Sequence, residues 1–83
     1  MLIPLYGFVT GDSLGLVVLV HDNQKVRELV LSLQNAASPR VRPAPKAKAV
    51  FRGRVLDREA TIAQCGLEPL DRVDVVPEGS HGV

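Results

Sequence analysis

Aromatic residues are almost missing from this chain. Of 83 residues only Tyr6, Phe8 and Phe51 are aromatic, and there is no tryptophan. The core must therefore be built from valine, leucine and isoleucine. Cysteine occurs once, as Cys65, so an internal disulfide is impossible. That excludes the cross-linked frameworks of small secreted domains and favours a reducing, cytoplasmic setting. The longest nearly apolar run, Leu14 to Val20, has seven residues, far below the roughly 20 that a membrane-crossing helix needs. No basic segment leads into an apolar run at the start, so no signal peptide is expected. Metal chemistry is poorly served as well. One cysteine and two distant histidines, His21 and His81, make no zinc set. A diiron helix bundle takes a pair of Glu-x-x-His motifs, and no such pair exists here, so this chain is not expected to supply its carboxylate and imidazole ligands.

What remains is an ordinary globular composition, 46% hydrophobic and 23% charged with a net charge of +1. The length fits one small domain of marginal stability, the kind that gains from a partner covering part of its surface. A single domain over residues 1–78 is expected, with 79–83 as a loose tail. "IPLYGFVTGDSLGLVVLV" holds two β-prone runs, predicting strands at 2–9 and 14–20 around a tight turn at Gly11-Asp12. Gly7 and Gly15 mark bulges or close backbone approach. Asp22 is placed to cap a helix over 23–36, in which Val26, Leu29, Val30 and Leu33 form one apolar face. Pro39 stops that helix, and "SPRVRPAPKAK" is a semi-rigid connection. A strand at 47–52 follows, then a turn at Arg52-Gly53 and a short continuation through Val55 and Leu56. "TIAQCGL" reads as one helical turn ended by Gly66. "RVDVVP" closes the chain as its last strand.

A helix that follows a hairpin must lay its apolar face across the sheet. Leu5, Val17, Leu19 and Val75 are the sheet residues expected beneath it. The fold class is α+β, a mixed sheet with one helix on one face and the first and last strands as central parallel neighbours. This is the β-grasp, or ubiquitin-like, arrangement. More narrowly, "IPLYGF", "TGDSLGL", "RVRPAP" and "RGRVLDREATIAQCGL" with the following "PLDR" and "DVV" resemble the small B, or gamma, subunits of bacterial toluene monooxygenase systems. That resemblance implies a non-catalytic subunit of a multicomponent diiron aromatic hydroxylase of α, β and γ chains. Its diiron centre would lie in the α subunit, with electrons arriving from NADH through a reductase and a Rieske ferredoxin. The expected partners are the hydroxylase α and β subunits, with no nucleic acid, no membrane and no cofactor in this chain.

The residues themselves agree. In "GLEPLDRVDVV", Gly66 ends a turn, Leu67 can plug the core, and Val73 and Val75 share one strand face. Asp71 and Asp74 fall on opposite faces, so they are solvated charges rather than an acid–base pair. Cys65 has no histidine near it in sequence and suits a small buried position. His21, beside Asp22, suits a surface or capping role. Ubiquitin-like modifiers and sulfur carriers end in Gly-Gly. "PEGSHGV" separates its glycines and adds a valine, so conjugation and sulfur carriage are not expected. The alternative is a free-standing ubiquitin-like accessory protein resembling the small β-grasp factor of type VII secretion systems.

One charge asymmetry stands out. Between residues 40 and 58, Arg40, Arg42, Lys46, Lys48, Arg52, Arg54 and Arg58 face only Asp57, a local net of +6. Two readings compete: an edge strand guarded against aggregation, or a docking surface for an acidic partner. Nucleic-acid binding lacks its stacking platform, since Phe51 is the only aromatic in the stretch. Leu31, off the main helical face, joins the basic residues as a candidate contact.

Overall fold

The computed structural model describes residues 1–78; the expected tail over 79–83, with His81, lies outside them. Five strands and one helix follow in the order β1 (Leu2–Val9), β2 (Leu16–His21), α1 (Val26–Ala37), β3 (Ala47–Phe51), β4 (Arg54–Val55) and β5 (Arg72–Pro77). They form one sheet of order β2-β1-β5-β3-β4. β1 and β5 run parallel at its centre, and the other pairs are antiparallel. Among the described residues no helix is long and apolar enough to cross a membrane.

The helix lies where its sequence periodicity requires. Val26, Leu29 and Leu33 are at most 1% exposed, and they pack with Ile3, Leu5, Val73 and Val75 into the single core. Gly7 explains how close the helix sits. It pairs in regular register with Leu16, so it is no bulge. A Cβ on it would lie 2.1 Å from a Leu33 methyl, so glycine lets the helix side chain reach the strand backbone.

Three sequence expectations are corrected. The helix starts at Val26 rather than residue 23, and Asp22 does not cap it. The Asp22 carboxylate is instead taken by the N-terminal ammonium of Met1, at 2.8 Å. Lys25 is extended and bridges Thr61, while the Val26 and Arg27 amides donate to the carbonyls of Ala60 and Arg58. The distant loop thus satisfies donors that a capping side chain normally covers. The first turn is also wider than expected. Residues 10–15 form a loop in which only Gly11 has a positive φ, at 91°, and the Asp12 carboxylate accepts the Leu14 amide in a local Asx turn.

The third correction matters most. Val17 and Leu19 do not lie under the helix; they are 57% and 65% exposed. The register pairs Val20 with Ile3, Val18 with Leu5 and Leu16 with Gly7. Since Ile3 and Leu5 face the helix, so do Leu16, Val18 and Val20, and alternation turns Val17 and Leu19 to the other side.

Elsewhere the local chemistry behaves as read. Arg52 and Gly53, with φ of 52° and 79°, make the two-residue turn between β3 and β4. Thr61 and Gln64 exchange amide bonds through their side chains, at 2.8 and 3.1 Å, and Gly66 closes that turn at φ 73°. Pro4 is tolerated in a central strand because β5 has not yet begun beside it. Only its carbonyl is used there, accepting the Leu70 amide at 2.7 Å.

Candidate docking surfaces

Among the described residues no three of His, Cys, Asp and Glu come together as a metal site. Cys65 is half-buried against the core, and burial, reinforced by the Asp57 charge, pushes its thiol pKa up. A thiol held protonated is a poor nucleophile. His21 is exposed on the sheet edge, where its amide donates to Gln24. Asp71 accepts the Glu68 amide and Asp74 pairs with Arg72 at 3.1 Å, so "GLEPLDRVDVV" fastens turns and strands.

The basic stretch does not form one surface. Arg40 makes a two-pronged ion pair with Asp12, at 3.0 and 2.9 Å, clamping the post-helix segment to the first loop. The Asp12 side chain is only 1% exposed there, although the residue as a whole is half-buried. Hydrogen bonding from Arg40 holds the Asp12 carboxyl below its usual pKa of 3.8 and raises that of Arg40. A depressed carboxylate contributes stability above its unfolded pKa and loses it as pH falls through the folded value. Arg40→Ala is therefore expected to lower the melting temperature at pH 7. The gap to wild type should shrink below pH 3.8, a trend that thermal melts across pH would check. A gap that stays constant across pH would show that the charge of Asp12 does not carry it.

Arg52 and Arg54 stand exposed at the β3–β4 turn and edge, with the Arg52 guanidinium 5.0 Å from the Phe51 ring. Arg42 is exposed on the connection, and Lys48 is half-buried on β3. Leu31, Lys46 and Arg58 do converge. With Arg27 they line an open groove of ≈ 280 Å³ between α1 and the start of β3. Leu31 is 59% exposed at its side.

A second surface was not anticipated. The sheet face away from the helix carries Leu2, Pro4 and Tyr6 on β1 and Val17 and Leu19 on β2, all exposed except the half-buried Pro4. Toward β5 it closes. Arg72 lies 4.0 Å over the Phe8 ring, beside a dent of ≈ 250 Å³ lined by Phe8, Val50, Arg72, Asp74 and Val76. The signal in the sequence was the unbroken apolar run of β2. A strand with one wet face normally alternates, and this one does not.

A mixed five-stranded sheet with two parallel central strands and one helix packed on one face defines a β-grasp, ubiquitin-like domain. The chain belongs to the toluene-4-monooxygenase system protein B family, whose model matches residues 2–76. Among solved structures it is similar to a chain of the toluene 4-monooxygenase HD complex with the inhibitor 4-bromobenzoate. The identity is 25%, over 94% of this chain and 100% of that one, with a TM-score of 0.83. It also shares its fold with Caldiarchaeum subterraneum ubiquitin, at 17% identity over 99% of this chain and 100% of that one, with a TM-score of 0.75. The comparison with curated proteins gives no match.

Proposed function

We propose that this chain is the small, non-catalytic gamma subunit of a multicomponent diiron aromatic monooxygenase hydroxylase, where it docks on and stabilises the α subunit. The observation that carries the reading is the family match over nearly the whole folded domain, residues 2–76. The fold supports it physically. A domain of 83 residues buries little surface and leaves an apolar face uncovered, which a larger partner can cover. In this reading the diiron centre and the aromatic pocket belong to the α subunit. The β subunit completes the hetero-oligomer, NADH supplies the electrons through separate components, and this chain contributes shape and stability.

Co-expression with the candidate α and β subunits tests the proposal. The chain should co-elute with them, and its melting temperature should rise in the complex, because a partner that binds only the folded state stabilises it by mass action. The chain purified alone should bind no stoichiometric iron and oxidise no arene. A diiron absorbance band from the isolated chain would overturn the assignment.

A further inference from the structure

We infer that the β1–β2 half of the open sheet face, including the outer edge of β2, is where this chain docks on the larger hydroxylase subunit; the inference rests on the subunit reading above. The register places Pro4 opposite Leu19 and Tyr6 opposite Val17. The Asp22 amide bonds to the Met1 carbonyl, so by alternation these are the closely spaced, non-hydrogen-bonded pairs whose side chains touch. They make one contiguous patch, which Leu2 extends at 50% exposure.

The same alternation turns the backbone N–H and C=O groups of Val17 and Leu19 outward, away from β1. Among the described residues nothing pairs with them, whereas Gln24 covers both the amide and the carbonyl of His21. β2 carries no lysine, arginine or proline. Isolated edges are normally protected by such residues, and a bare apolar edge recruits another chain. The opposite edge of this sheet is protected, by Arg54 on β4 and Arg52 in the turn before it. One edge is guarded and the other is left open, and the open edge adjoins the apolar patch.

Electrostatics selects the kind of surface that fits. The patch has no charged side chain at its centre, and the ionic groups nearest it in the strands are already paired, Arg72 with Asp74 and the Met1 ammonium with Asp22. A charged partner surface would be desolvated without compensation, so the complementary surface on the larger subunit is apolar, with backbone groups to meet Val17 and Leu19.

The test is a Val17→Lys, Leu19→Glu double variant, compared with wild type and with an Arg52→Glu, Arg54→Glu variant on the guarded edge. Circular dichroism should show all three folded, since these side chains are exposed. In co-expression and titration with the larger subunit, the β2 variant should bind about 100-fold more weakly or worse. The guarded-edge variant should stay within about fivefold of wild type. Hydrogen exchange should slow at residues 16–20 on binding, and not at 52–55. Full binding by the folded β2 variant overturns the inference and leaves the subunit reading standing. A wild-type chain that does not bind the larger subunit overturns both. A wild-type dimer that the β2 variant dissociates, with binding to the larger subunit intact, assigns the face to self-association and also overturns it.

Discussion

Replacing Leu29 with alanine is expected to destabilise the domain by about 2–5 kcal/mol, the range for buried leucines that leave a cavity behind. Leu29 is 1% exposed at the middle of the helical face. Its neighbours Val26 and Leu33 are fully buried, so the site has little room to collapse. Small domains are stable by only about 5–15 kcal/mol, and the loss would be a large share of the total. Urea unfolding followed by circular dichroism reads it as a fall in the midpoint with the slope retained. An unchanged midpoint would mean that the helix does not hold the sheet through this face.

Gly7→Ala should cost about 1–3 kcal/mol, the usual range for overpacking, although it adds one methyl group. That methyl would lie 2.1, 2.7 and 2.9 Å from three Leu33 carbons. The Leu33 side chain is fully buried and cannot swing clear. Close approach, rather than backbone conformation, is what requires glycine here, since its φ is not positive. The check is a double-mutant cycle. In a Leu33→Ala background the added methyl enters vacated space, so Gly7→Ala should become neutral or stabilising, with strong coupling between the sites. Additive penalties would mean that Gly7 acts through something other than Leu33. Gly15 is the milder counterpart. Its Cβ would meet the Phe8 ring at 2.7 Å, but Phe8 is only half-buried and has room to shift.

Much of the fold was legible because its signals are local. The i, i+3, i+4, i+7 spacing of Val26, Leu29, Val30 and Leu33 defines a helical face by geometry alone. Arg52-Gly53 and Gly66 mark turns because few residues accept positive φ. The helix start was misread because Asp22 has the right chemistry for a cap, yet a nearer charge, the Met1 ammonium, claims it. The seven basic residues are close in sequence, yet Arg52 and Arg54 stand at the β3–β4 turn and edge. Arg40 spends its charge on Asp12, while Lys46 and Arg58 reach the groove beside Leu31.

The sequence by itself determined the element order, the helix's buried face and the turns at Arg52-Gly53 and Gly66. Each follows from properties a residue carries with it: backbone preference, side-chain period and chemical type. Only the tertiary structure decided which side of β2 faces the helix and which edge of the sheet is bare. Leu16 to Val20 are apolar without interruption, so no alternation in the sequence could set their direction. The pairing of Val18 with Leu5 set it, because in a sheet a neighbour's register, and not a residue's own polarity, fixes which way a side chain points.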